Sequence, residues 1–253
     1  MTVLWHIPVS HFSEKVRWAL DYKDVAHDRK APPPGPHMAF ALLLTRGAVN
    51  TLPVLQLDGR GIGDSAAILA ALEERHPDPP LYPQDPDDHR RALELQAFFD
   101  TGLGPAARHL AFHHLRRDPD AVAAFAAEQM PGPLARIGPV RKAGGALASV
   151  FAGARYGVGA DTAADAVGAT VRAAFDRLES ELDGGDHLVG GRFSAADLTA
   201  ASLFGPIVLP PEGPAVPPPT AGLEAFRATV RDRPGYAWVQ QTFARHRGIA
   251  RRP

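Results

Sequence analysis

The stretch Thr51-Leu52-Pro53-Val54-Leu55-Gln56-Leu57-Asp58-Gly59 constrains the fold of this chain most tightly. An apolar run enters an Asp-Gly pair, whose tolerance of positive φ makes it the strongest short hairpin signal. Gly61-Ile62-Gly63 then reads as the return strand. Asp64-Ser65 opens a helix at once, with Ile68, Leu69 and Leu72 on one face at helical spacing. Upstream, Val3-Leu4-Trp5 reads as a short strand that ends at Pro8. Ser10 stands where a helix N-cap should be, followed by Phe12, Val16, Ala19 and Leu20 on one face. Val25–Arg29 is predicted as a second strand, Ala31–Pro36 as a loop and Met38–Leu44 as a short helix. The resulting order is β-α-β-α-β-β-α over residues 1–80.

Downstream the periodicity changes. His76–Asp88 carries Pro77, Pro79, Pro80, Pro83 and Pro86, which remove backbone donors and disfavour helix in the residue before each. An extended linker is predicted there. Beyond it helix spacing dominates: Val167, Val171, Ala174, Phe175, Leu178 and Leu182 trace one stripe. Ser194-Ala195-Ala196-Asp197 has the form of a capping box, with Phe193 and Leu198 placed as its hydrophobic staple. Pro206–Pro219 is predicted as an irregular loop. Leu223, Phe226 and Val230, then Trp238, Val239, Thr242 and Phe243, predict closing helices. Met130–Gly159 mixes prolines, glycines and basic residues and predicts no shape.

The chain has 253 residues, enough for two ordinary domains, and its 45% hydrophobic and 22% charged residues are globular values. A formal net charge of −1 leaves no excess of cations to displace phosphate counterions, which argues against a nucleic-acid or membrane-surface binder. The basic segment Arg245–Arg252 is expected to be a solvated tail. Without cysteine there is no disulfide, thiolate metal site or cysteine nucleophile in this chain. Met1–Pro8 has no basic stretch leading into an apolar run, so a cytoplasmic protein is expected. His109 and His113, four apart, could form half of a metal site, but a helix surface is the expected place for such a pair and no metal is expected.

Three features carry candidate chemistry. Ser10-His11-Phe12-Ser13 lies where free amides and the helix dipole favour negative charge, so a thiol held there would be more acidic and Ser10 could donate to the thiolate. As a residue alone, Ser10 reads first as a plain cap, a position serine favours everywhere. Leu52-Pro53 begins a strand, and a cis bond there would turn the Leu52 backbone outward to meet an extended peptide, although only about 5–6% of X-Pro bonds are cis. Asp64-Ser65 offers an acceptor for an ammonium group and free amides for a carboxylate, the two ends of an amino acid, or else simply starts a helix.

Taken in order, these stretches resemble the glutathione transferase superfamily. The likeness lies in Pro8–Leu20 ("PVSHFSEKVRWAL"), Asn50–Arg75 ("NTLPVLQLDGRGIGDSAAILAALEER"), the following "HPDPPLYPQDP", and Leu188–Asp197, which has the form LVG-x-x-FS-x-AD. The resemblance implies an α/β plus all-α protein: a thioredoxin-like domain over residues 1–80, a proline-rich linker over 81–89 and an all-helical domain over 90–253. It implies that Ser10 is the catalytic serine, stabilising a glutathione thiolate that attacks a hydrophobic electrophile. Pro53 matches the family's cis-proline, and the backbone of Leu52 would pair with the cysteinyl unit. Asp64 and Ser65 would hold the γ-glutamyl end. Glutathione is implied as co-substrate with no prosthetic cofactor, and a homodimer as the working form. Asn50 and His37 fall near where the glycyl carboxylate is held, with no motif to fix them.

The sequence also departs from that pattern. Ser10 and Ser13 stand where thioredoxin-like ancestors carry cysteines, so mixed-disulfide chemistry is excluded. His11 replaces the proline common after the catalytic serine and is expected to be a solvated first-turn residue. The arginine-over-lysine bias is that of GC-rich bacteria, some of which use another small thiol. A thiol-binding or scaffold protein that keeps the fold without catalysis is the alternative.

Overall fold

The computed structural model describes residues 1–33, 35–129 and 161–248. The Met130–Gly159 stretch lies outside the described residues. Four strands form one sheet in the order β2-β1-β3-β4: β1 (Val3–Trp5), β2 (Asp28–Lys30), β3 (Val54–Leu57) and β4 (Arg60–Gly63). β1 runs parallel to β2 and antiparallel to β3, and β3 pairs antiparallel with β4 through the Asp58-Gly59 turn. Both turn residues have positive φ, 49° and 79°, as the Asp-Gly pair requires.

Because side chains alternate across a strand, β1 and β3 each serve two cores. Leu4 and Leu55 face α1 (His11–Tyr22) and α3 (Ser65–Arg75), where Val16, Trp18, Leu20, Ile68, Leu69 and Leu72 are fully buried. Their strand neighbours Trp5 and Val54 face the other way, onto a smaller cluster with Ala41 of α2 (Pro36–Leu44) and Leu52. The second strand lies at Asp28–Lys30 rather than Val25–Arg29. Its three side chains are exposed and its register comes from β1, so no apolar pattern marks it.

α4 (Pro86–Phe98) begins inside the predicted linker of 81–89, with Asp85 accepting from the amides of Asp87 and Asp88 at 3.0 Å and Pro86 at the first helical position. A proline there has no amide to lose, so the last proline of the run starts the helix instead of extending the linker. A π-helical turn, Phe99–Leu103, joins α4 to α5 (Gly104–Leu115), and α6 (Pro119–Gln129) follows. α7 (Asp161–Leu182) buries the expected stripe at Val171, Ala174, Phe175 and Leu178.

α8 (Ala195–Val208) is the axis of the helical layer and packs against α1. It is buried nearly all round, as a core helix should be. Asp197 accepts from the amides of Leu188 and Ser194 at 2.8 Å and from the Ser194 hydroxyl at 2.7 Å, closing the expected box. Pro206, expected to open a loop, lies inside this helix. It removes one amide donor, but Leu203, Phe204, Ile207 and Val208 beside it are buried, and that burial carries the helix on to Leu209, which ends it at φ 53°. Residues 209–220 form the proline-rich loop. α9 (Ala221–Ala228) and α10 (Pro234–Thr242) follow, with Val230 buried just beyond α9 and a π-helical turn at Phe243–Arg247.

The basic segment is not a solvated tail in its described part: Arg247 is 1% exposed and paired with Glu14 and Asp21 of α1. Residues 249–253 lie outside the described residues. No helix among the described residues is long and apolar enough to cross a membrane.

Candidate active site

All five residues named from the sequence, Ser10, Leu52, Pro53, Asp64 and Ser65, line one cleft of about 380 Å³. It runs between the sheet layer and the helical layer. Ser10 arrives there because Pro8 ends the strand segment and Ser10 caps α1, at φ −77° and ψ 126°. Its Oγ accepts from the Ser13 amide at 3.3 Å. A hydroxyl used as an acceptor keeps its proton, so the cap leaves one donor for a ligand. Capping α1 is therefore compatible with a further role for this hydroxyl. Ser13 is buried, and its Oγ accepts from the Ile7 amide at 3.2 Å, fixing the same turn from below.

Leu52–Pro53 is a cis peptide bond. Among the described residues the Leu52 backbone joins no backbone–backbone hydrogen bond, and its carbonyl accepts only from the Thr51 hydroxyl at 3.4 Å. An extended ligand can pair with groups left in that state. Asp64 caps α3: its Oδ1 accepts from the amides of Ala66 at 2.8 Å and Ala67 at 3.0 Å. Its φ of 69° is strained for a side-chain-bearing residue and is held by those two bonds. The carboxylate is exposed, with Oδ2 left to accept, while Ser65 beside it is buried.

His11 overturns the expectation of a solvated residue. It is 5% exposed, and its Nε2 donates to the carbonyl of Gly104, the first residue of α5, at 2.9 Å. Burial, followed by the charge of Arg108, pushes its pKa down to about 3, so the ring is neutral at physiological pH. Its role is to tie the Ser10 turn to the helical layer. Gly104 makes that approach workable, since a Cβ there would lie 2.4 Å from the Phe12 ring.

The helical side of the cleft was not legible in advance. Arg108, Ala111, Phe112 and Leu115 of α5, Gly205 and Pro206 of α8, and the loop prolines form a mostly apolar wall. Arg108 stands with its guanidinium 5.9 Å from the centre of the Phe12 ring. Only the spacing Arg108, Phe112, Leu115 along one helix face could have flagged them. Asn50 is exposed, and His37 is buried with its Nδ1 accepting from the Gly35 amide at 3.0 Å; neither lines the cleft. His113 is buried rather than on the helix surface, and no group of three or more potential metal ligands exists among the described residues.

Comparison with known proteins decides the family. Residues 4–80 match the glutathione S-transferase N-terminal domain family and residues 161–235 match the C-terminal domain family. The chain belongs to the glutathione S-transferase superfamily. Among curated relatives, a probable maleylacetoacetate isomerase of Caenorhabditis elegans is 33% identical over 103 residues, 41% of this chain and 48% of that protein. The maleylacetoacetate isomerase of Dictyostelium discoideum is 32% identical over 107 residues, 41% and 49% of the two chains. The matched stretches span about half the length of these relatives. Among solved glutathione S-transferases, one from Methylobacillus flagellatus with glutathione bound has a TM-score of 0.63 at 19% identity, covering 99% of this chain and 98% of that one. Maleyl pyruvate isomerase, a bacterial glutathione S-transferase of the Zeta class, has a TM-score of 0.61 at 19% identity, covering 98% and 95%. At these identities the structural likeness is one of fold. That fold is a thioredoxin-like sheet layer joined to a helical domain, the architecture expected from the sequence.

Proposed function

We propose that this protein is a glutathione-dependent enzyme in which the Ser10 hydroxyl donates to a glutathione thiolate at the start of α1. The supporting observation is convergence: five residues from three separate chain segments line one cleft whose opposite wall is apolar. In this reading Leu52 pairs its backbone with the cysteinyl unit, Pro53 shapes that edge, and Asp64 with Ser65 takes the γ-glutamyl end. A donor held in place before the thiolate forms costs no reorganisation, which is where its advantage over water lies. The thiolate then attacks an electrophilic carbon held against the apolar wall. In conjugation a leaving group departs or a proton is added, and the thioether is released. Residues 1–80 are the thiol-binding part in this reading, and the working form is a cytoplasmic homodimer.

A second reading draws on the two curated relatives described above, one named a probable maleylacetoacetate isomerase and the other a maleylacetoacetate isomerase. The same thiolate would add to a conjugated cis double bond, the resulting single bond would turn, and expulsion of the thiolate would leave the trans isomer. The two readings share every step up to carbon–sulfur bond formation. Calorimetry with glutathione, an aryl-halide conjugation assay and an isomerisation assay on a cis-enedioate separate them. Ser10→Ala should keep glutathione affinity within a few-fold while turnover falls by about 10²-fold, the usual loss for a preorganised donor. Unchanged turnover at neutral pH removes Ser10 from the chemistry, and binding without turnover in the unaltered protein points to a scaffold.

A further inference from the structure

Two arginines and a glutamate are buried together behind the Ser10 turn. Arg247 and Glu14 are each 1% exposed and Arg17 is 5% exposed. Arg247 reaches back 233 positions along the chain: its Nε donates to Glu14 Oε1 at 2.6 Å and its Nη1 to Asp21 Oδ2 at 2.5 Å. Glu14 Oε2 accepts from Arg17 Nε at 2.7 Å. Arg17 then donates through Nη2 to the Pro8 carbonyl at 2.9 Å and through Nη1 to the Ile7 carbonyl at 3.3 Å. That Ile7 carbonyl also accepts from the Ser10 amide at 3.0 Å. An unbroken line of charge-assisted bonds thus leads from the helical layer to the backbone that sets Ser10.

Stability alone does not account for it. Withdrawing charges from water costs several kcal/mol each, and an apolar cluster of equal volume commonly stabilises as much or more. What charged forks supply and apolar packing does not is direction: each bond sets the orientation of the next group.

We infer that Arg247, Glu14 and Arg17 form a positioning relay that holds the Ile7–Ser10 turn in the geometry a thiolate requires, so that a side chain of the helical layer governs how well Ser10 works. The inference rests on the thiolate role proposed for Ser10. None of the three touches the cleft, so they are positioning residues. Arg247 is the informative member, because it lies farthest from the turn and bridges two carboxylates that a single lysine nitrogen cannot hold in the same way.

The test compares Arg247→Lys, Arg247→Met, Ser10→Ala and the Ser10→Ala/Arg247→Lys double variant. Each is followed by glutathione calorimetry, by the ultraviolet absorbance of the bound thiolate across pH, and by separate kcat and KM for the electrophile. Arg247→Lys, which keeps the buried charge and the fold, should bind glutathione within about threefold of the parent. Its bound thiol should titrate about one pH unit higher and its kcat, measured at a pH below both titrations, should fall about tenfold, the same factor expressed twice. KM should stay unchanged. The double variant should lose no more than Ser10→Ala alone, because coupled residues are not additive. Arg247→Met should show a larger loss of the same kind. A parental kcat and thiol titration in Arg247→Lys, or losses that add to those of Ser10→Ala, overturn the relay. If Ser10→Ala itself leaves the thiol titration unmoved, the reading beneath the relay fails and the relay with it.

Discussion

His6 and His11 flank the turn that presents Ser10, and both are kept neutral by their surroundings. Burial and Arg108 push His11 down to about 3, while burial followed by Arg17 pushes His6 down to about 4. Unfolded, each titrates at the ordinary value of about 6.5. Between those values the unfolded chain binds more protons than the folded one, so stability falls as pH drops from 6.5 toward 4. Each histidine contributes a slope of up to about 1.4 kcal/mol per pH unit. Urea midpoints measured across that window should fall steadily, and His11→Gln, which can still donate to Gly104, should reduce the slope by close to one proton. A second residue-scale prediction concerns Asp197, fully buried with three donors. Asp197→Ala orphans those donors and should cost about 3 kcal/mol in a denaturation experiment. What was readable at this scale was local. Ser10, Asp64 and Asp197 announce themselves because a cap answers to amides two or three residues away. The burial of His11 and Arg247 was invisible because it is decided by Gly104 and Glu14, which only folding brings near.

Elements met on their faces follow the same division. The stripes of α3 and α7 and the Asp58-Gly59 hairpin were legible from spacing alone. Pro206 departs from its expectation because the local rule that proline ends a helix is outweighed by a core that encloses α8 on nearly all sides. β2 was displaced because an exposed edge strand takes its register from its partner and carries no pattern of its own. The seating of α2 on the sheet depends on the absence of a side chain. A Cβ on Gly61 of β4 would lie 2.0 Å from the Leu44 carbonyl oxygen, whereas nothing lies within 4 Å of one on Gly102. Gly61→Ala should therefore destabilise by about 2 kcal/mol, with Gly102→Ala neutral or better. Matched urea titrations with unchanged m-values would check both.

For the molecule as a whole, the decisive element is α1, which belongs to both layers. Trp18 is fully buried on it, with ring centres 5.7 Å from Phe193 and 4.6 Å from Phe243, both in the helical layer. Lys15, also buried on α1, pairs with Asp100 at 2.6 Å across the same boundary. The two layers should consequently unfold as one unit. Trp18→Ala should lower stability by about 3–5 kcal/mol, with tryptophan fluorescence and helical dichroism shifting together; separate transitions would contradict a shared core. That the chain has two layers was legible from its change of period. That one helix is common to both was not, since α1 shows a single apolar stripe and its remaining faces are closed by charged groups.

The loop over residues 209–220 gives the cleft one further property. Pro210, Pro214, Pro217, Pro218 and Pro219 line it, each with its backbone rotation already restricted by its ring. A rim of this kind has surrendered its freedom before any guest arrives, so it cannot mould itself around one. It works as a template, admitting molecules by outline, and homologous compounds of increasing bulk should meet an abrupt size cut-off instead of a gradual decline.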